Sequence, residues 1–142
     1  MITPSEKLRL KVERPFVVFF YRVFSRWAGG FHILLLTTTG RKSKRSRTVP
    51  VVFMPIEDSF VVVAANLGSD DQPGWYLNLK QDAHAQIQVG SNRMSVVAEA
   101  LSDDERAQLW EKWIKANPGY QGFQTRTSRQ LPVVILKTAR PL

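Results

Sequence analysis

The chain has 142 residues, 44% hydrophobic and 23% charged, which makes one domain of ordinary size, long enough to bury a core and too apolar for disorder. Its 20 lysines and arginines against 12 acidic residues leave a net charge of +8, which points to an anionic partner: nucleic acid, an acidic membrane face or an anionic cofactor. The absence of cysteine excludes disulfides, thiolate metal sites and thiol nucleophiles.

Residues 1–14 are polar and basic and lack the small-residue cleavage site of a signal peptide, so a cytoplasmic protein is expected. From Pro15 the pattern turns helical. Phe16, Phe19, Phe20, Val23, Phe24 and Trp27 share one helix face, and Gly29-Gly30 stops the run. A helix over 15–27 packed on the core or on a second subunit is the plain reading. Its aromatics and flanking cations, Arg22 and Arg26 among them, also suit a helix lying at the inner membrane face. Residues 1–30 are thus set apart as a basic amphipathic segment, and 31–142 as the folded domain. No apolar run reaches the ~18–20 residues of a membrane-spanning helix.

A strand is predicted over 31–38, with a fully apolar centre from Ile33 to Leu36, and a second over 47–56, in which Pro50 and Pro55 consign parts to edges or bulges. Glu57-Asp58 turns the chain into a third strand over 60–65. A polar loop over 66–73 leads to a short helix over 73–80, with Asp70 or Asp71 near its start. Residues 84–89 alternate, with Ala85, Ile87 and Val89 on one face. Gly90-Ser91-Asn92 turns the chain, and 94–100 returns. Ser102-Asp103-Asp104-Glu105 is a capping box opening a helix to about Ala116, with Ala107, Trp110, Trp113 and Ile114 on its buried side. Asn117-Pro118-Gly119 ends it, a tyrosine-bearing loop follows, and 132–137 forms the last strand. Short antiparallel strands separated by helices predict an α+β, mainly β, small barrel with helical decoration.

Between the first two strands lie five cations in seven positions: Arg41, Lys42, Lys44, Arg45 and Arg47, with Ser43 and Ser46 between them. A cationic loop gripped by two strands is a preformed anion site. It is not a Walker A loop, which needs a second glycine and a helix after it. A nucleic-acid patch lacks support from any helix-turn-helix, zinc spacing or RNA-binding signature. The remaining alternative is a solvated hairpin. The segment Pro73-Gly74-Trp75-Tyr76-Leu77-Asn78-Leu79 opens a helix whose first N–H groups are free for an anion, and its aromatics suit a planar ring or the core. His32 and His84 find no third metal ligand, so no metal site is expected. With no acid–base carboxylate pair and no nucleophile elbow, any chemistry is expected to come from a bound cofactor.

Three stretches resemble one family, the deazaflavin (coenzyme F420)-dependent nitroreductases. They are Leu34-Leu35-Leu36-Thr37-Thr38-Thr39-Gly40-Arg41-Lys42-Ser43 with Arg47-Thr48-Val49-Pro50, then Pro73-Gly74-Trp75-Tyr76-Leu77-Asn78-Leu79, then Asn117-Pro118-Gly119-Tyr120 through Gln124-x-Arg126-Thr127 and Leu131-Pro132-Val133-Val134. The likeness runs from about residue 31 to 137. It implies a split β-barrel of the FMN-binding, pyridoxamine-oxidase-like kind, with the N-terminal helix and two further helices. It also implies binding of coenzyme F420, a deazaflavin with a phosphate and a glutamate tail, and hydride transfer to a quinone, enone or nitroaromatic. On this resemblance the tail falls to Arg41, Lys42, Ser43 and Arg47, and Thr48, Val49, Pro50, Val51 and Val52 follow along the cofactor. Ala65, Asn66, Leu67, Gly68, Pro73, Gly74, Trp75, Tyr76 and Leu77 would surround the phosphate-to-ring region. Tyr120, and after it Phe123, stand near the substrate. The chain departs from the family in carrying Asn66-Leu67-Gly68 where Ser-Lys-Gly is common, and Lys44 and Arg45 where glycine and a neutral residue are common. Relatives of this fold bind FMN or haem, so FMN is the alternative cofactor. A non-catalytic binder of anionic ligands or membranes is the alternative of another class. A homodimer is expected.

Overall fold

The structure is a computed structural model, and it describes residues 32–141. The helix expected over 15–27 lies outside the described residues.

Seven strands form one antiparallel sheet: β1 (Ile33–Thr39), β2 (Ser46–Val52), β3 (Met54–Ile56), β4 (Ser59–Val63), β5 (His84–Val89), β6 (Asn92–Glu99) and β7 (Val133–Pro141). Their spatial order is β2-β1-β5-β6-β7-β4-β3. The helices are α1 (Gly74–Gln81), α2 (Asp103–Ala116) and α3 (Tyr120–Thr125), with a 3-10 turn at Asn66–Gly68.

The segment read as a single strand over 47–56 is two strands, β2 and β3, broken at Phe53. They lie at opposite ends of the sheet order although one residue separates them. The chain therefore bends at Phe53 and carries the sheet round on itself, which is how a sheet becomes a barrel. Both prolines fall where a missing donor is tolerated: Pro50 on one edge strand, Pro55 on the other.

Strand alternation divides the apolar residues between two cores. Leu34 and Leu36 of β1, Val62 of β4, Ile87 of β5, Val96 of β6 and Val134 and Leu136 of β7 fill the first, with Phe53 and Leu79. Val61 and Val63 of β4 and Val133 of β7 face the other way and meet Leu109 and Trp113 of α2 in the second. β1 is apolar throughout its centre because Ile33 and Leu35 are buried as well.

The capping box forms as expected: the Ser102 Oγ accepts from the Glu105 N–H, and the Glu105 carboxylate accepts from the Ser102 N–H. The buried face of α2 is Leu109 and Trp113, flanked by Trp110 and Ile114. Ala107 is exposed, because it sits on the turn of α2 that faces solvent. Asp70 and Asp71 lie just before α1 as expected, and Pro73 occupies its N-cap position. One further expectation is corrected. The tyrosine-bearing loop contains α3, a third helix among the described residues.

Candidate functional site

β1 and β2 are in register with Thr38 opposite Arg47, Leu36 opposite Val49 and Leu34 opposite Val51. Opposite residues share a face. Arg47 and Val49 therefore stand on the same side as the first core, at its open end. The connecting loop folds back on itself: Gly40 N–H donates to the Arg45 carbonyl (2.7 Å) and Lys44 N–H to the Gly40 carbonyl (2.8 Å). A Cβ at position 40 would lie 2.5 Å from Ser43 Oγ and 3.1 Å from the Arg45 carbonyl, so any larger residue there requires the loop to shift. Lys44 holds φ +61°, in the left-handed region where glycine costs least. A cation is kept here against the backbone's preference.

Between this loop and the N-terminus of α1 lies a cleft of about 370 Å³, lined by Thr38, Gly40, Arg41, Lys42, Ser43, Arg47, Val49, Gly74, Trp75 and Asn78. Pro73 offers no side-chain acceptor, so the first N–H groups of α1, at Gly74 and Trp75, face the cleft uncapped. Arg41 lies beside them; a methyl added at Gly74 would be 4.0 Å from its Nη1. Among the described residues, no carboxylate lies within ion-pair distance of a loop cation; Asp82 acts on Lys44 only at longer range, and neither lines the cleft. Uncancelled positive charge, a serine hydroxyl and a helix N-terminus make a receptor for a phosphate or carboxylate, and Trp75 adds an apolar wall for a ring.

The structure thus brings together Arg41, Lys42, Ser43, Arg47, Val49, Gly74 and Trp75, and leaves Lys44 and Arg45 outside the lining. The rest of the stretch over 48–52 divides by strand alternation. Thr48 points to the far face, where its hydroxyl meets that of Thr37 at 2.7 Å. Pro50 pairs with Leu35. Val51 packs on the first core and Val52 on the second. Tyr76 packs on the first core beneath Lys80, and Leu77 is half-buried.

Ala65, Asn66, Leu67 and Gly68 do not line the cleft. They form a turn with three successive positive φ values, +46° at Asn66, +56° at Leu67 and +81° at Gly68. Leu67 projects into solvent, 72% exposed. The turn is braced from the C-terminal block. Arg129 makes four hydrogen bonds to the turn and the residues flanking it, from Nε to the Ser69 carbonyl (2.8 Å), from Nη1 to the Ala64 carbonyl (3.1 Å) and the Gln72 side chain (2.8 Å), and from Nη2 to the Ala65 carbonyl (2.8 Å). Thr127 donates to Asp70 (2.6 Å), and Gly68 is pressed against Phe123 so closely that a Cβ would be 2.6 Å from its carbonyl. The motif around Arg126-Thr127 therefore owes its place in the sequence to holding this loop.

Tyr120 lies in the second core, edge-on to Trp113 and Phe123 with ring centroids 5.1 Å from each. Burial pushes its phenol up to about 12 from an ordinary 10. It remains neutral at physiological pH. Because its folded value lies above its unfolded one, its share of stability is intact below 10 and is lost as pH rises toward 12. In a spectroscopic titration, the phenolate signal that differs between wild type and Tyr120→Phe is expected to have its midpoint near 12; a midpoint near 10 would show the ring open to water.

Three cleft residues were not among the expected site positions: Thr38, Gly40 and Asn78. Asn78 had a legible signal, since it is a polar residue three positions from Trp75 and next to buried Leu79, on the apolar face of α1.

Comparison with known proteins agrees on one family. A family model described as F420H(2)-dependent quinone reductase matches residues 16–138 and so takes in the helix expected over 15–27 as well as the barrel. The F420H(2)-dependent quinone reductase Rv1261c of Mycobacterium tuberculosis is 37% identical over 118 residues, 81% of this chain and 79% of that one. The solved structure of an F420-H2 dependent reductase, FDR-A, superimposes with a TM-score of 0.68 at 34% identity, over 74% of this chain and 93% of that one. A solved protein described as a domain-swapped dimer is 28% identical, with a TM-score of 0.69 over 95% of this chain and 100% of its own. A pyridoxamine 5'-phosphate oxidase-type protein of Listeria innocua, 12% identical with a TM-score of 0.56 over 77% of this chain and 85% of its own, shares the fold alone.

Proposed function

This chain belongs to the F420H(2)-dependent quinone reductase family, and from that premise we propose that it transfers a hydride from reduced coenzyme F420 to a quinone. Enones and nitroaromatics are the further acceptor classes. The observation that carries this reading is the cleft, where Arg41, Lys42, Ser43 and Arg47 face the uncapped N-terminus of α1 with no carboxylate among the lining residues. That donor set suits the phosphate and glutamate tail of a deazaflavin.

When bound, the deazaflavin ring supplies the hydride. The chain's own residues bind and orient. Arg41 and Arg47 hold the tail by charge-assisted hydrogen bonds, the Gly74 and Trp75 N–H groups receive phosphate oxygens, and the Trp75 ring limits where the cofactor ring can lie. Thr48, Pro50 and Val52 support the strand from its far face. The braced turn over 65–68 lies outside the cleft lining, and its place beside the phosphate-to-ring region is carried by the family resemblance alone. Tyr120 packs on the second core and is not among the residues lining the cleft, so its role as hydrogen-bond or proton donor to the acceptor is carried by the family resemblance alone.

A homodimer is part of the proposal, supported by the domain-swapped relative. So is a cytoplasmic setting. No helix among the described residues is long and apolar enough to cross a membrane.

A side-by-side titration with coenzyme F420 and FMN tests this reading. F420 is expected to bind more tightly, and its affinity to fall with salt, since partly exposed charges are screened over ~10 Å at 0.1 M. Equal affinity without salt dependence would overturn it in favour of the FMN alternative.

A further inference from the structure

The charge of the cleft is set in place by a side chain that carries none. Asn78 sits one turn beyond Gly74 on α1 and is only 4% exposed. Its Oδ1 accepts two hydrogen bonds from Arg41, one from the backbone N–H (3.1 Å) and one from Nη1 (3.0 Å). Its Nδ2 donates to Thr38 Oγ1 (3.0 Å), itself 2% exposed. The planar amide is thereby fixed between β1 and the loop. It ties both ends of Arg41, main chain and guanidinium, to one buried oxygen.

A long arginine free in water loses rotamer entropy when a ligand immobilises it. Anchoring it beforehand removes part of that cost. A carboxylate could anchor it too, but would cancel the charge the ligand needs. A carboxamide oxygen anchors without cancelling. Among the described residues, Arg41's remaining N–H groups have no protein partner, so they stay available to the cleft.

We propose that Asn78 is a positioning residue that aims Arg41 into the cleft with its charge intact, and so sets the affinity for the anionic tail of the cofactor. This deepens the reading of the cleft given above and rests on it.

The test is titration of the purified protein with coenzyme F420 and with the deazaflavin ring lacking phosphate and glutamates. Asn78→Ala is expected to weaken F420 binding about tenfold, the effect of one lost charge-assisted bond. It should leave binding of the tail-less ring unchanged and raise KM for F420 at constant kcat. In an Arg41→Ala background, Asn78→Ala should add nothing, because it acts through Arg41. Asn78→Asp, equal in volume, keeps the anchor but neutralises the guanidinium. It should lose F420 affinity at least as strongly, and it carries the test should Asn78→Ala not fold. Wild-type F420 affinity in both variants, equal losses for the tailed and tail-less compounds, or an undiminished effect of Asn78→Ala without Arg41 would each overturn the inference alone. A wild-type protein that does not distinguish the two compounds would overturn the cleft reading, and this inference with it.

Discussion

Replacing Lys42 and Arg47 together by alanine is expected to lower coenzyme F420 affinity by about a hundredfold or more while leaving the fold intact. Each removed cation forfeits a charge-assisted hydrogen bond of ~1.5–3 kcal/mol, and every 1.4 kcal/mol is tenfold. Partial exposure places the result toward the lower end of that range. Stability should change by less than ~0.5 kcal/mol, because neither side chain bonds to the protein among the described residues. Removing two like charges from one loop works slightly in favour of the fold. Fluorescence titration and a denaturant melt on the same sample separate the two effects. Unchanged F420 binding would make the loop a solvated hairpin or a nucleic-acid patch, and a gel shift with duplex DNA would decide between them.

Trp113→Ala is expected to have the largest effect on stability. Trp113 is wholly buried at the centre of the second core, against Tyr120 and Leu131. Removing such a ring costs ~3–5 kcal/mol, a large part of the ~5–15 kcal/mol that holds a domain of this size. The urea midpoint should fall steeply with little change in slope. Trp113→Phe keeps an aromatic ring in the same place and removes less volume, so it should cost distinctly less. An alanine variant within ~1 kcal/mol of wild type would mean that α2 unfolds separately from the barrel.

Much of the fold was legible because local signals and tertiary demands agreed. The apolar run from Ile33 to Leu36, the alternation of Ala85, Ile87 and Val89, and the capping box at Ser102 each describe an element whose neighbours want the same thing. The cleft was legible in its loop, since a cluster of like charges between apolar strands has few other uses. What escaped was nonlocal. No period reveals that 46–52 and 54–56 belong to opposite ends of the sheet. α3 has only Tyr120 and Phe123 as apolar anchors over its six residues, and the structure around it, not its own propensity, holds it helical. The turn over 66–68 reads as a flexible polar loop, yet Arg129, some sixty residues away in sequence, fastens it. The role of Asn78, as distinct from its burial, has no local sign in the sequence, because its partners, Arg41 and Thr38, come from the loop and β1.

The bend at Phe53 turns chain length into a gauge. The two ends of the sheet are joined there by a single residue, so the circumference and the pairing of both ends are fixed by one short stretch of backbone. A residue added at the hairpin tip near Ser91 lengthens a surface connection and costs little. A residue added beside Phe53 would invert one side relative to the other, because side chains alternate with a period of two. Met54 and Ile56 would exchange the second core for the opposite face. Tolerance of insertions should therefore differ sharply between two positions that are both short links in the sequence.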